Sequence, residues 1–466
     1  MLLAGRLELD VRGMGAVILA QATWSVGVAG WLVSLRSGRA FLTRPIPYAI
    51  ALAVVAIGGA ALVSLHRTDA HGGAREVHTA HAEHAAAPSS SSSGGDVQAP
   101  VAELAFEDIG GRIYVPAEIG GHAVSAVLDT GAGSTLMNLA LADEWQLPAH
   151  GTVDAHGSGG ASIQGKILGD TEISLGGLRH AIPYAIPFDA LAPAEGRRLE
   201  VLLGYDFFRE YIVEIDYAKR RVRVFAGDAG LEARGIVLPV HFVSSLPHVS
   251  AEMAIGSARY ELEALVDTGA SSTSLTLRFR ADPPLEVAQT ERFVTGHGVG
   301  GAIEGRYFRP DALQLGSAAL ARPVVTLIES IGGQERGRAE YDLGIGADLL
   351  RRFRITLDYP HERILLEPGD ELTRPFEADK TGLRLEAQGK DLRRFEVVAV
   401  MPGSSAMEAG VEVGDVLEAV DGVAASGFTL QELRELFRSA TAEQWEFVLR
   451  RGSQSIRLMV SARSII

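Results

Sequence analysis

The strongest constraint on this chain is that it repeats itself. Ala126-Val-Leu-Asp-Thr-Gly-Ala132 returns as Ala264-Leu-Val-Asp-Thr-Gly-Ala270, an offset of 267 − 129 = 138 residues. Leu202-Leu-Gly-Tyr-Asp-Phe-Phe-Arg209 returns as Gly344-Ile-Gly-Ala-Asp-Leu-Leu-Arg351, an offset of 346 − 204 = 142. Ile215-Asp-Tyr217 returns as Leu357-Asp-Tyr359, and Gly157-Ser-Gly-Gly160 is echoed by Gly298-Val-Gly-Gly301. Four landmarks in one order at nearly one offset predict a duplicated domain.

Each copy reads as β structure. Ile113 to Ile119 alternates, Gly120-Gly121 signals a hairpin turn, and Val124 to Leu128 returns as a buried strand ending at the Asp. In the second copy Ala251 to Ile255, Gly256-Ser257 and Tyr260 to Val266 repeat the pattern. Later hairpins are predicted over Tyr211–Asp216 with Arg221–Phe225, and over Phe353–Asp358 with Arg363–Leu366. Helical periodicity is brief, near Ala140 to Leu147.

The chemistry follows from the repeated carboxylate. A single Asp-Thr-Gly is compatible with an Asp that caps a turn. Two copies in equivalent places let a pseudo-twofold bring the aspartates together, and two carboxylates about 3 Å apart retain one proton between them. One then serves as base toward water and the other as acid toward a carbonyl oxygen. The chain has no cysteine, which removes thiolate nucleophiles, disulfides and thiolate metal sites. Its formal charge of −15 and lack of a basic stretch with aromatics argue against a nucleic-acid partner.

These motifs resemble the lobes of retropepsin-type aspartic proteases, over about Ala105 to Pro368. The resemblance implies a mainly β fold with two retropepsin-like β-barrel lobes in tandem, arranged as a pepsin-like pseudo-dimer. It implies Asp129 and Asp267 as the catalytic pair, Thr130 and Thr268 as interlocking supports, and Gly131 and Gly269 as contacts to substrate or water. Gly157, Gly159 and Gly160, with Gly298, Gly300 and Gly301, would lie in flaps over an extended peptide. Leu203-Gly204 and Ile345-Gly346 would support the Asp loops from below. No metal or cofactor is implied. Ala132 and Ala270 stand where pepsin-like enzymes usually carry Ser, which leads us to expect a less acidic optimum than pepsin's. His156 and His297 flank the flaps, as exposed residues or as pH sensors. Because retroviral relatives pair two chains, each lobe could instead pair with its counterpart in a second copy.

Beyond Pro375 lies a third pattern. Pro402-Gly-Ser-Ser-Ala-Met-Glu-Ala-Gly410 opens a short helix, Val413 to Gly422 is a strand with an Asp-Gly turn, and Thr429 to Arg438 is an amphipathic helix. Phe395–Val400, Phe447–Leu449 and Ile456–Val460 read as strands. Pro-Gly-Ser-Ser-Ala and Ala409-Gly-Val-Glu-Val-Gly-Asp415 resemble bacterial PDZ domains, an α+β fold. By that resemblance Gly382, Leu383, Arg384 and Leu385 would receive a peptide's terminal carboxylate, with the peptide added as a strand.

A mean hydropathy of +0.14 is high for an acidic chain, and the apolar mass is N-terminal. Val17–Leu35 and Ile46–Leu65 are free of charged side chains, each near the length of a spanning helix. Arg36, Arg39 and Arg44 between them place that loop in the cytoplasm and the remainder outside it. One or two transmembrane helices or a cleaved signal would each export the rest of the chain. Residues 67–100, with His66, His71, His78, His81 and His84 nearby and Ser89 to Ser93 unbroken, read as a disordered tether rather than a metal-binding tract. The expected organisation is thus a membrane anchor over 1–66, a linker over 67–100, lobes over 101–230 and 231–370, and a PDZ domain over 375–466. The expected function is an inner-membrane-tethered, periplasmic endopeptidase acting on polypeptides, with a PDZ ligand peptide or protein C-terminus as partner. The rival is an idle peptide-binding scaffold using the same groove and PDZ domain.

Overall fold

The computed structural model describes residues 99–157, 162–279, 290–298, 301–331, 340–439 and 441–466, and the backbone of 8–10 and 39–41. The chain divides into two compact units, Met1–Ser92 and Ser93–Ile466. In the first, Glu8–Asp10 pairs antiparallel with Arg39–Phe41. Both stretches expected to span a membrane, and the histidine-containing linker, lie outside the described residues. Among the described residues no helix is long and apolar enough to cross a membrane.

The second unit is mainly β, and its first two domains are copies of one plan. In lobe 1, Arg112–Ile119 pairs antiparallel with His122–Leu128, and Val201–Leu203 lies parallel to the latter. In lobe 2, Leu246–Ile255, Ala258–Val266 and Leu343–Ile345 repeat the arrangement. Each set belongs to a ten-stranded sheet. The alternation visible in the sequence is the packing: Ile113, Val115, Ala126 and Leu128 turn into the core, as do Val249, Leu262, Ala264 and Val266. Burying each large aliphatic side chain contributes about 1.5–3 kcal/mol. The predicted helix near 140 is Leu139–Glu144, its first turn capped by the Asn138 side chain on the Ala140 amide.

A third sheet joins the lobes. Its six strands run Ile236–Pro239, Arg363–Pro368, Phe353–Asp358, Tyr211–Asp216, Arg221–Ala226, Ala102–Ala105. The central pair is Tyr211–Asp216 against Phe353–Asp358, one strand from each lobe, with Ile215 opposite Ile355. Both hairpins predicted from the sequence are therefore halves of one interlobe sheet. Further exchange occurs at the first hairpin of each lobe. Gly111 packs so closely on Ala347 that a Cβ there would come within 2.6 Å of it, and Phe242 stacks edge-on against Tyr205 at 5.2 Å.

The C-terminal domain comes after a linker fastened by Arg352. Its guanidinium donates to the carbonyls of Glu371 at 2.8 Å and Pro375 at 3.2 Å and lies over the Phe376 ring. The domain's sheet runs Leu383–Gln388, Arg394–Val400, Val416–Val420, Gln444–Arg451, Gln454–Ser461, with the first of these at its edge. Helix Leu430–Leu436 starts in a capping box of Thr429 and Glu432. Its Leu430 and Leu433 are core residues, packed with Phe437, Trp445 and Phe447.

Candidate active site

The two Asp-Thr-Gly loops meet at the lobe boundary. Thr130 Oγ1 donates to the Val266 carbonyl at 2.6 Å and accepts from the Thr268 amide at 2.9 Å. Thr268 Oγ1 does the reverse, donating to Leu128 O at 2.7 Å and accepting from the Thr130 amide at 3.1 Å. Both threonines are fully buried, so each hydroxyl satisfies two backbone groups that would otherwise be stranded in the interior.

This lock sets Asp129 and Asp267 face to face across the boundary. A Cβ on Gly131 would come within 2.6 Å of the Asp267 carboxyl, and one on Gly269 within 2.2 Å of Asp129 Oδ1. Only glycine leaves room for the opposite carboxylate. Asp129 Oδ1 accepts from the Gly131 amide at 3.0 Å, while Asp267 Oδ1 accepts from Gly269 at 2.9 Å and Ala270 at 3.0 Å. Burial first, then the neighbouring Asp267 charge, pushes the Asp129 carboxyl up to about 7, against Arg112 and the backbone amides. Burial raises Asp267 as well, opposed by the Gly269 amide, Arg112 and the Ala270 amide. The two titrate as a pair that keeps one proton where isolated carboxyls have lost theirs.

Beneath the loops, Leu203 O accepts from the Asp129 amide and Ile345 O from the Asp267 amide, each at 3.0 Å. Gly204 and Gly346 come next, where a Cβ would collide with the backbone of Ser134 and Ser272. Thr135 and Thr273, six residues beyond each Asp, complete the brace. Asp206 accepts from the Thr135 hydroxyl at 2.8 Å and Asp348 from that of Thr273 at 2.7 Å. Asp206 and Asp348 lie in a repeated landmark of the sequence, whereas Thr135 and Thr273 lie outside all of them.

Arg112 has no counterpart in that repeat. Val115 pairs with Ala126 and Val249 with Ala264, so Leu246 is the lobe 2 residue in its place. Arg112 Nε donates to the Gly269 carbonyl at 2.5 Å, and its Nη1 pairs with Glu195. It is the cation that draws both aspartates downward. The signal missed is the Arg that opens the strand next to the Asp strand, where lobe 2 has Leu246.

The predicted flaps are hairpins, Ala149–His156 with Ser162–Leu168 and Phe293–Gly298 with Gly301–Phe308. Gly157, Gly298 and Gly301 are at their tips; Gly159, Gly160 and Gly300 lie outside the described residues. His156 is exposed, whereas His297 Nδ1 lies 3.2 Å from Glu386 of the C-terminal domain. The loop around Gly382, Leu383, Arg384 and Leu385 is internally bonded at its start. Asp379 Oδ1 accepts from the amides of Thr381 and Gly382 at 2.8 and 2.6 Å, and Thr381 Oγ1 accepts from the Leu383 amide at 3.1 Å. Among the described residues, His241, His248 and Glu263 hold atoms in reach of one cation. There Glu263 Oε1 already sits 2.7 and 2.8 Å from the two ring nitrogens.

Residues 115–207 and 251–349 each match the aspartyl protease family, and residues 396–451 match the PDZ domain family. The chain carries an aspartyl protease domain in two copies and a PDZ domain. The doubled match coincides with the doubled Asp-Thr-Gly loop. A chloroplastic C-terminal processing peptidase from Tetradesmus obliquus is 35% identical over 109 residues, covering 22% of this chain and 23% of that protein. DNA damage-inducible protein 1 of Chaetomium globosum is 30% identical over 116 residues, covering 24% of each. The chain thus spans about a quarter of the length of these curated relatives. A solved structure, the photosystem II D1 C-terminal processing protease, is 29% identical over 18% of this chain and 22% of its own, with a TM-score of 0.17.

Proposed function

We propose that the chain is an aspartic-type endopeptidase that hydrolyses polypeptides with a water activated by Asp129 and Asp267. The observation that carries this is the reciprocal threonine lock, which holds two mutually opposed carboxyls in one chain. With one proton on the pair, the ionised carboxylate takes a proton from water as its oxygen attacks the peptide carbonyl carbon. The protonated carboxyl gives its proton to the carbonyl oxygen, forming a neutral gem-diol. Collapse breaks the C–N bond: one diol proton returns to a carboxylate, and the leaving nitrogen takes a proton from the pair. No covalent enzyme intermediate forms.

The PDZ domain on this reading recruits or gates substrates by their C-termini. The charge-free stretches 17–35 and 46–65, with Arg36, Arg39 and Arg44 between them, support anchoring in the inner membrane with the protease on the extracytoplasmic side.

The test is cleavage of a mixed peptide pool by the purified full-length chain across about pH 3 to 8, the interval that brackets ordinary and raised carboxyl values. Products that vanish with a statine-like hydroxyl inhibitor support the reading. No cleavage at any pH turns the molecule into a peptide-binding scaffold.

A further inference from the structure

The peptide groove of this PDZ domain is filled by the chain itself. A PDZ ligand adds as a strand to the open sheet edge, here Leu383–Gln388, which no strand pairs on its outer side among the described residues. Lobe 1's helix Ala192–Glu195 packs along that edge instead. Helix Leu430–Leu436 closes over it from the other side. Arg434 Nη2 donates to the Ala194 carbonyl at 2.7 Å, and a Cβ on Gly196 would come within 2.7 Å of Leu430 Cβ. Gly196 ends the short helix at φ +71°, the left-handed region where glycine has no penalty.

At the end of the groove lies a cavity of about 60 Å³ lined by Arg384, Arg434 and Arg438, and walled by Phe293 and Tyr307 of flap 2. No carboxylate pairs with these three arginines among the described residues, and Arg384 Nε is buried without a partner. Asp379 also lines the cavity, but its Oδ1 is held by the amides of Thr381 and Gly382. Burial, and then the Arg384 charge, pushes Arg434 down to about 9. An arriving carboxylate would relieve that crowding.

One contact ties this groove to a dyad loop, and two tie it to flap 2. Glu195, on the inserted helix, pairs with Arg112, whose Nε holds the Gly269 carbonyl. Glu386, on the edge strand, faces His297 of flap 2, and Arg384 lies beside Gly296.

We propose that the PDZ domain is a latch closed in cis by residues 192–196, and that a polypeptide C-terminus opens it by displacing them. The incoming carboxylate goes to Arg384, Arg434 and Arg438, and the incoming backbone completes the open edge, a ladder that a helix cannot supply. Release frees the Glu195 end of the Arg112 link, and a carboxylate on Arg384 acts beside Gly296 of flap 2. The exchange rests on geometry alone; its effect on turnover rests on the endopeptidase reading.

The experiment uses the full chain carrying Asp129→Asn, so that no result depends on hydrolysis. The probe is a fluorescein-labelled pool of randomised decapeptides ending in a free apolar residue, beside the same pool amidated. Adding Gly196→Val strains the left-handed position and drives a side chain into Leu430. The free-acid pool should then bind about tenfold tighter, because the competent state no longer has to be selected from a closed one; the amidated pool should not. Hydrogen exchange on the chain without the valine covers a variant that fails to fold. Saturating free-acid pool should speed exchange at 192–196 and slow it at 383–388. Equal binding of the two pools, or unchanged protection at 192–196 under saturation, overturns the latch. In the chain with Asp129 intact, Gly196→Val should raise kcat/KM several-fold, and an unchanged value with displaced exchange overturns the coupling to the cleft. Exchange without any cleavage defeats the endopeptidase alone; cleavage without exchange defeats the latch alone.

Discussion

Lobe 1 and lobe 2 place the same groups under the dyad, yet they differ one strand away. Thr130 and Thr268 exchange four equivalent hydrogen bonds, and Leu203 and Ile345 accept from the two Asp amides at the same 3.0 Å. Arg112 and Leu246, in contrast, are a cation and an aliphatic side chain at matching positions. The lesson is that symmetry is retained where both lobes must build one object and is lost where they meet the PDZ domain through different elements, lobe 1 through Ala192–Glu195 and lobe 2 through His297 of flap 2.

Removing one carboxylate at a time tests the symmetry of the dyad most severely. Asp129→Asn and Asp267→Asn should each lower cleavage at least about 10³-fold, in the range expected for deleting half of an acid–base pair. If each lobe paired with its copy in a second chain, either variant would keep part of the activity, and a rate assay on the two singles decides it.

Next in size is the asymmetry itself. Arg112→Leu makes lobe 1 copy lobe 2 and removes the cation that lowers both aspartates. The pair should then hold its proton to higher pH, moving the pH–rate profile upward by about one unit. A profile that stays in place removes Arg112 from the electrostatics of the dyad.

Thr130→Ala and Thr268→Ala probe the symmetric part. Each strands a buried amide and carbonyl, costing about 1–3 kcal/mol in urea unfolding. The two losses should be nearly equal, and the double variant should cost less than their sum because the hydroxyls share one network. Unequal losses would show the lock to be one-sided.

The smallest effect concerns stability against pH. An Asp whose proton affinity rises on folding contributes stability below its unfolded value near 4 that is lost as pH rises through the folded value. For Asp129 that value is about 7. Asp129→Asn should therefore raise Tm by about 3 °C at pH 8, with the gain disappearing below about pH 4. A gain that persists in acid would assign it to packing.

Much of this was legible in the sequence because the duplication reports geometry twice. The strands flanking Asp129 and Asp267 and both hairpins of the interlobe sheet follow from alternation and turn residues alone. What could not be read is what depends on distant partners. Arg112 finds Glu195 at a separation of 83 positions along the chain, and nothing local marks either residue. Ala192-Pro-Ala-Glu195 is too short for a periodic signal, and its importance comes from the PDZ edge it covers. The PDZ resemblance points to the Gly382–Leu385 loop, but its amides at Gly382 and Leu383 are engaged by Asp379 and Thr381, choices that only the folded loop reveals.

The interlobe sheet also imposes an order of events during synthesis. Val213 pairs with Leu357, a separation of 357 − 213 = 144 residues. Contacts that distant form late, after local hairpins and after the loop-closure entropy has been overcome. A chain still being made, with lobe 1 complete, has one aspartate and no opposing carboxyl. The strand Phe353–Asp358 must emerge before the second loop is held against the first. Placing both halves of the dyad on one chain thus acts as a timer: on the proposed endopeptidase reading, the newborn polypeptide passes through its most vulnerable, least folded stage with the cleavage chemistry unassembled.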